Sequence, residues 1–308
     1  LQVKKQMKLL LLLNIVLYSM LVFCQKPEKQ LKLAEDLFSN GNFREALVLY
    51  ETNLPKIKND ISYPLKLQNY GDTQLALSDT ASAINTYLEI LDLDSDDYKN
   101  FVQKMSTSNM KFIRKITYKL FPNRKLSYYP IYVSKNESSE KLAKIFLTKK
   151  EYRNALHFFS LSDTVYNFQH FCGNAFISHD MYLARMYAEC YMGLHEVDSA
   201  LYTLAPHIFE NPFETNKRIV DLTIEILQTN FNRDQYISFF RQAEKTIRIV
   251  PTPEVSYKDY DGYIQLFGRK IQIPLFRDDL DSKTEQEIKQ LFINKFRDSK
   301  IYRRITSS

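Results

Sequence analysis

The sequence has few glycines and no tryptophan: only six of its 308 residues are glycine. Glycine supplies the φ > 0 backbone conformations that tight turns and phosphate-binding loops require. Glycine-rich phosphate sites and β-rich folds with many tight turns are therefore hard to build from this chain. Hydrophobic residues at 44% are enough for a core, and charged residues at 25% argue against a wholly disordered chain.

Motifs for the common enzyme chemistries are also missing. We find no P-loop, nucleophile elbow, dinucleotide fingerprint or kinase loop, and neither His-Glu-x-x-His nor Cys-x-x-Cys occurs. The triplet Asp92, Asp94 and Asp96 resembles the start of a calcium loop. Asp97 and Gln103, however, stand where such a loop has glycine and glutamate. We therefore predict that the chain is not an enzyme and has no cofactor.

Residues 1–24 are typical of a secretory signal segment. Lys8 precedes an apolar run, and Val22 and Cys24 are small enough for the positions before a cleavage site. The run, residues 9–23, is shorter than the ~20 residues of a membrane-spanning helix. An uncleaved anchor is one alternative. Lipidation of Cys24 is another, because residues 21–24 resemble a bacterial lipobox. We expect an exported protein, either periplasmic or associated with the outer membrane.

Beyond this segment, one pattern of small and aromatic residues occurs four times. In the first copy Ala34 and Ala46 are twelve residues apart, and Tyr50 follows four residues later. Each copy reads as two helices folded back on each other, with small residues where the backbones approach. The same spacings recur in three further sets: Gly71, Ala83 and Tyr87; Ala143, Ala155 and Phe159; and Ala188, Ala200 and Leu204.

The pattern resembles the tetratricopeptide-repeat family. The match covers four helix pairs, at residues 30–54, 65–94, 141–161 and 181–208. It lacks the family's early tryptophan, and successive second alanines are 37, 72 and 45 residues apart, where the family has 34. The resemblance implies an all-α fold, a right-handed superhelix of helical hairpins, over residues 25–250.

The long steps between copies leave room for further segments. The 72-residue step accommodates a degenerate helix pair at about residues 97–121, followed by a loop with Pro130 and the polar residues 134–140. After the fourth pair, residues 219–227 and 236–247 show helical periodicity without the small residues. An atypical terminal repeat would have this pattern.

Similarity to this family implies a concave groove lined by the first helix of each pair. Mixed charge and apolar side chains there would suit an extended peptide or a partner helix. We therefore expect a non-catalytic scaffold or adaptor that binds a peptide or protein partner in the cell envelope. Carried over by position, the candidate peptide-binding groove comprises Leu31, Glu35, Phe38, Gln68, Asp72, Leu75, Glu140, Lys144, Leu147, Arg185, Glu189 and Met192.

A basic stretch offers a different surface. Residues 98–136 contain nine basic side chains and no acidic one. In residues 111–121 the apolar residues share one helical face and the basic residues occupy the other, and a helix of this kind can lie on an anionic membrane surface. A repeat helix with a solvated basic face is the simpler alternative. The predicted export of the chain argues against nucleic acid as its partner. The candidate contacts with an anionic surface are Lys111, Arg114, Lys115 and Lys119.

All five histidines fall within residues 157–207, together with two cysteines. Zinc takes four nitrogen or sulfur ligands, so a metal-binding or enzymatic protein centred on this stretch is the alternative function. Hydrogen-bonded structural histidines are the simpler interpretation. Cys172 and Cys190 could form a disulfide in an exported protein, or stay as two thiols. The histidines are His157, His170, His179, His195 and His207.

The pattern changes at Pro251. Two short apolar strands flank Gly268 and Arg269, which predicts a β-hairpin with a type II′ turn at these two residues. A capping box at residues 282–285 then begins a last helix, whose buried side is predicted to include Ile288, Leu291, Phe292 and Phe296. Residues 251–308 are therefore expected to form a C-terminal hairpin and helix. The predicted register places two apolar pairs on one face: Leu266 with Ile271, and Ile264 with Ile273.

Overall fold

The computed structural model of the chain describes residues 26–60, 62–94, 130–167, 173–209, 216–252, 259–274, 280 and 282–307. Within these ranges the chain is mainly helical, with twelve α-helices and a small three-stranded antiparallel sheet. No helix in these ranges is both long enough and apolar enough to cross a membrane. The predicted signal segment, residues 1–24, and the predicted basic helix, residues 111–121, lie outside the described residues.

The chain divides into two compact units. The first, the N-terminal unit, comprises Leu1–Ile145 and Ser160–Phe168. The second, the C-terminal unit, comprises Phe146–Phe159 and Gln169–Ser308. The third predicted helix pair, which contains Ala143, is therefore divided between the two units.

Two helical hairpins open the N-terminal unit. Helix α1 (Pro27–Ser39) and helix α2 (Phe43–Asn53) form the first, and α3 (Tyr63–Ala76) and α4 (Thr80–Asp92) form the second. Gly41, at φ +80°, lies in the turn after α1, where a left-handed residue commonly ends a helix. Helices α1 and α3 each have a proline in the first turn, because the fixed φ of proline suits a helix start.

The small residues of these two hairpins are buried. Ala34, Ala46 and Ala83 have no exposed surface, and Gly71 is buried as well. A Cβ atom at Gly71 would lie 2.7 Å from Cε1 of Tyr87, a fully buried ring on α4. Packing this close leaves no space for a larger side chain. The predicted burial of the small residues is confirmed.

Helix α5 (Pro130–Thr148) begins in the N-terminal unit and ends in the C-terminal unit. The predicted loop over residues 134–140 is wrong, because these residues are helical. Ser134 and Ser138 are fully buried. The polarity of the segment therefore reflects small hydroxyl side chains packed inside the unit, and not a solvent-exposed loop.

In the described part of the chain, five further α-helices lie between α5 and the sheet. The small residues Ala155, Ala188 and Ala200 have no exposed surface, as predicted. Asn232 accepts a hydrogen bond from the Gln235 backbone N–H, and the two residues form a capping box at the start of the fifth helix. The helices are α6 (Tyr152–Ser160), α7 (Gly173–Gly193), α8 (Val197–Leu204), α9 (Lys217–Asn230) and α10 (Arg233–Lys245).

The sheet lies in the C-terminal unit and has the order β1 (Arg248–Pro251), β2 (Tyr260–Leu266) and β3 (Arg269–Ile273). The sequence does not predict β1. Within the described residues the sheet is followed by two helices, α11 (Glu285–Asp298) and α12 (Lys300–Ser307). Gly262 of β2 leaves the space that the ring of Phe292 on α11 fills, because a Cβ atom there would collide with this ring.

The β2–β3 turn differs from the predicted one. Phe267 and Gly268, at φ +50° and +75°, are its two central residues, which is a type I′ turn. The predicted type II′ turn, one residue later, is wrong. Ile264 consequently pairs with Ile271 and not with Ile273. When the turn moves by one residue, the cross-strand partner of each residue changes by two positions. Side chains alternate between the two faces of a strand, so every residue stays on the face that was predicted for it. The predicted apolar face is confirmed by four buried residues: Ile264, Leu266, Ile271 and Ile273.

The last helices complete one continuous core in the C-terminal unit. The capping box of α11 is formed by Thr284 and Glu287, two residues after the predicted one. Leu291, which was predicted to be buried, is half-buried. Buried residues from helices before Pro251 and from the sheet and helices after it belong to the same core. The predicted buried side of α11 is confirmed for three residues: Ile288, Phe292 and Phe296.

Candidate functional site

Polar side chains connect the first helices of successive hairpins in the N-terminal unit. Glu35 on α1 accepts hydrogen bonds from two side chains on α3, at 2.5 Å from Lys66 Nζ and 2.9 Å from Asn69 Nδ2. Lys66 and Asn69 are three residues apart, so both lie on the face of α3 that is turned toward α1. The pair of Glu35 and Lys66 is half-buried.

A second connection joins α3 to α5. Lys141 Nζ lies 2.6 Å from both carboxylate oxygens of Asp72. The hydroxyl of Tyr87 donates a hydrogen bond of 2.6 Å to the same carboxylate. Lys141 also lies 5.8 Å above the centre of the Tyr87 ring. Burial and the neighbouring Asp72 carboxylate raise the pKa of Tyr87 above its usual range, so this phenol remains a hydrogen-bond donor.

The Gln68 amide of α3 donates to the Glu137 carboxylate of α5. Gln68 and Asp72 are four residues apart on α3, as are Glu137 and Lys141 on α5, which places each pair on one helical face. Helix α3 thus contacts α1 with one set of polar residues and α5 with another. We call the whole set the polar ladder: Glu35, Lys66, Gln68, Asn69, Asp72, Tyr87, Glu137 and Lys141.

Two residues of the predicted groove are buried. Leu31 has no exposed surface, and Gln68 is 3% exposed. A buried side chain has no surface to offer to a ligand, so both are removed from the candidate contacts. Leu31 packs in the core of the first hairpin, and Gln68 belongs to the polar ladder. The sequence could not distinguish these buried positions from exposed ones, because the burial of a residue at the edge of a helix face depends on which other helices pack beside it.

The other predicted groove residues of the N-terminal unit keep exposed surface. Phe38 is half-buried against Phe43, with 5.3 Å between ring centres. Leu75 is 37% exposed. Lys144 Nζ lies 3.3 Å from Glu140, and the Lys144 side chain is half-exposed. Glu35 and Asp72, the two remaining members, are both held in the polar ladder.

The predicted groove residues of the C-terminal unit form a set of their own. Arg185 and Glu189, four residues apart on α7, lie 3.9 Å from each other. Burial raises the pKa of the Glu189 carboxyl, although Arg185 acts in the opposite direction. Leu147 and Met192 are half-buried.

Sequence reasoning missed several ladder residues, chiefly Lys66, Glu137 and Lys141. One local signal was available: each of these charged residues lies three or four positions from another polar residue on the first helix of its hairpin, so the two share a helical face. That spacing does not reveal which residue on another helix is the partner, because the partner helix is distant in sequence. Lys141 lies 69 residues after Asp72.

The histidines of the described part do not form a metal site. Within the described ranges, no three His, Cys, Asp or Glu side chains converge in a way that could hold a metal ion. His157 packs on Phe158, with 5.1 Å between ring centres. His207 is half-buried, and this partial burial, together with the nearby Arg269 charge, lowers its pKa. His170 lies outside the described residues.

The Cys190 side chain is fully buried, and it has no disulfide partner within the described residues. Burial and the adjacent Glu189 raise its pKa to about 12. Cys172, its predicted disulfide partner, lies outside the described residues, and the bridge stays a prediction. The predicted membrane contacts Lys111, Arg114, Lys115 and Lys119 also lie outside them.

Comparison of the chain with protein-family models, with curated proteins and with solved structures gave no match.

Proposed function

We propose that this protein is a non-catalytic scaffold of helical hairpins, of the tetratricopeptide-like superhelical type, that binds a peptide or protein segment. The buried small residues of its hairpins support the repeat architecture. The proposed binding surface in the N-terminal unit follows the first helices α1, α3 and α5, which the polar ladder connects.

The polar ladder is the observation that carries this proposal. Its two ion pairs, Glu35 with Lys66 and Asp72 with Lys141, hold charges of both signs in fixed positions that remain partly open to solvent. If these helices only had to pack against each other, apolar contacts could replace the ion pairs without loss of stability. Groups fixed in this way can meet an extended partner with little further loss of side-chain entropy.

Three accessible residues lie one helical turn beyond the ladder. Phe38 follows Glu35 by three residues, Leu75 follows Asp72 by three, and Lys144 follows Lys141 by three. Residues three apart share a helical face, so each lies on the ladder side of its helix. Two apolar groups and one cation near paired charges suit a peptide with apolar anchors and an acidic group.

We further propose that the scaffold acts in the cell envelope. This part of the proposal depends on the signal-like residues 1–24 and their lipobox-like end at Cys24. Fractionation of cells that express the full chain tests it, since an exported protein is recovered with the envelope and not with the cytoplasm.

Site-specific crosslinking in the native cell tests the binding surface. A photoreactive phenylalanine analogue replaces Phe38, Leu75 or Lys144 in separate variants. A matched control variant carries it at Val48, which is 57% exposed on the second helix of the first hairpin. We expect the three ladder-side positions to capture the same partner, and Val48 to capture much less of it. Equal capture at Val48, or no capture at any of the three positions, would overturn the proposal.

A further inference from the structure

A pocket of about 520 Å³ opens in the C-terminal unit, between α8, the end of α10 and the β2–β3 turn. Its volume is within the range of ligand pockets, roughly 300–1,000 Å³. It belongs to neither the polar ladder nor the predicted groove. Most of its lining residues are apolar, and its exposed polar residues, which we call the rim, are Asp198, Gln242 and Gln265. The lining residues that matter here are Asp198, Phe231, Phe239, Gln242, Gln265 and Phe267.

Three phenylalanine rings form one wall of the pocket. Phe231 and Phe239 meet edge to face with 5.1 Å between ring centres, and Phe239 meets Phe267 in the same manner at 6.1 Å. All three side chains are half-buried, so part of each ring remains accessible. The faces of aromatic rings carry negative electrostatic potential and attract cations.

Phe267 occupies an unusual backbone conformation for its type. It has φ +50° at the first central position of the type I′ turn, where asparagine, aspartate or glycine normally stands. Bulky residues rarely adopt this left-handed conformation, and strained residues cluster at ligand sites. The buried ring of Phe240, 5.9 Å away, holds Phe267 in place. The strained residue thereby adds an aromatic ring to the pocket wall.

Hydrogen bonds fix the two sides of the pocket relative to each other. The Thr246 hydroxyl at the end of α10 donates to the Ala243 carbonyl at 2.6 Å. The same oxygen accepts a hydrogen bond of 2.8 Å from the Gln265 backbone N–H on β2. The pocket is therefore formed before a ligand arrives, and binding costs little reorganisation.

The rim of the pocket carries one acidic group, and the Arg269 guanidinium beside the turn stacks on the neighbouring Tyr202 at 4.7 Å from its ring centre. Among the described lining residues, Asp198 alone is charged. Its carboxylate is exposed and takes part in no hydrogen bond or ion pair within the described part of the chain. The Gln242 amide nitrogen donates to Ser238, which leaves its carbonyl oxygen as an acceptor. The side chain of Gln265 is exposed on the same rim.

We propose that this pocket binds a small organic cation whose charged group is attached to an aromatic or aliphatic body. The three phenylalanines would hold the body, and the Asp198 carboxylate at the rim would attract the charge. This activity is separate from the peptide binding proposed for the N-terminal unit, and either proposal can fail without the other.

Ligand-observed NMR with the full chain tests the proposal. The probe is phenethylammonium, and 2-phenylethanol is the neutral probe of the same shape. We expect saturable binding of the cation at concentrations up to about 10 mM and weaker binding of the alcohol. Absence of saturable binding, or equal affinity for the two probes, would overturn the proposal.

Substitutions in the rim and in the β2–β3 turn test whether the probes bind in this pocket. Asp198→Asn should weaken binding of phenethylammonium about two- to fivefold, the range for an exposed charge pair, and leave the alcohol unaffected. Asp234→Asn changes an exposed carboxylate that does not line the pocket and should alter neither probe. An unchanged affinity in the Asp198 variant would refute the assignment of its role.

Phe267→Asn gives an independent test, because asparagine suits the type I′ turn and removes the ring. We expect the thermal midpoint to stay within a few degrees and the affinity for both probes to fall at least about threefold. Retained affinity in a folded Phe267 variant would contradict the proposal. If this variant does not fold, the Asp198 variant decides the question by itself.

Discussion

A Cβ atom on Gly71 would lie 2.7 Å from Cε1 of Tyr87, whose ring has no exposed surface. The close approach of α3 and α4 therefore depends on a glycine in the middle of a helix, where alanine would ordinarily be more stable. The same tyrosine donates to Asp72 in the polar ladder, so the packing of one hairpin also positions the ladder between hairpins.

Gly71→Ala is expected to destabilise the protein by about 1 kcal/mol. Overpacking against a buried ring costs about 1–3 kcal/mol, and the better helix propensity of alanine returns about 1 kcal/mol. Urea unfolding measures the difference. In a Tyr87→Leu background the ring is absent, and the same substitution should be neutral or stabilising. A loss of stability that is equal in both backgrounds would show that the ring contact is not the cause.

Asp72→Ala is expected to cost about 1–2 kcal/mol in the free energy of unfolding. The substitution leaves the Lys141 ammonium and the Tyr87 hydroxyl without their shared acceptor, and about three quarters of the Asp72 side chain is shielded from solvent. Glu151→Ala is the matched control, because the side chains of Lys149 and Glu151 in its ion pair are 48% and 41% exposed. We expect little change there. Similar losses in the two variants would contradict a special role for the ladder.

Stability at acid pH is expected to depend on Glu244. Hydrogen bonds from the Arg297 guanidinium lower the pKa of this carboxyl below its usual value of 4.5. A carboxyl with a lowered folded pKa contributes stability above its unfolded pKa, and the contribution is lost as the pH falls through the folded pKa. The window therefore lies below about pH 4.5.

Urea unfolding at pH 7, 5, 4 and 3 checks this window. Glu244→Gln should be less stable than the parent at pH 7, and the difference should shrink toward pH 3. Glu225→Gln, an exposed carboxyl on α9, is the control and should show no such trend. A constant difference between the parent and the Glu244 variant would rule out the expected linkage.

Cys190 is expected to react slowly with iodoacetamide in the folded protein. Its thiol has no exposed surface, and burial raises its pKa to about 12, so the thiolate that reacts is scarce at pH 8. Peptide mass spectrometry can follow its alkylation separately from that of the other cysteines. Unfolding in urea should restore the ordinary rate. Equal rates in the folded and unfolded chain would disprove the burial of this thiol.

Several features could be predicted from local sequence alone. The burial of Ala34, Ala46 and Ala83 follows from helical periodicity, since a small residue on an apolar face has one favourable environment. The apolar face of the β2–β3 hairpin was predictable for a similar reason. The alternation of side chains fixes the face of each residue even when the turn is misplaced by one position, as it was at Gly268.

The turn itself could not be predicted, because local preference disfavours a phenylalanine at φ +50°. Contacts of the Phe267 ring with Phe239 and Phe240 offset this preference, and they come from a helix more than twenty residues away in sequence. The polar residues of α5 illustrate the same limit. Ser134 and Ser138 suggest a loop by composition, yet packing inside the unit buries them.

The amino-acid order alone thus determined that the chain forms helical hairpins and which small side chains they enclose, because these properties depend on neighbours three or four positions away. The tertiary structure decided which charges meet. Glu35 with Lys66, and Asp72 with Lys141, are distant in sequence and become partners only when first helices lie side by side. It also created the phenylalanine pocket, since three rings from separate elements converge there only after the core has formed.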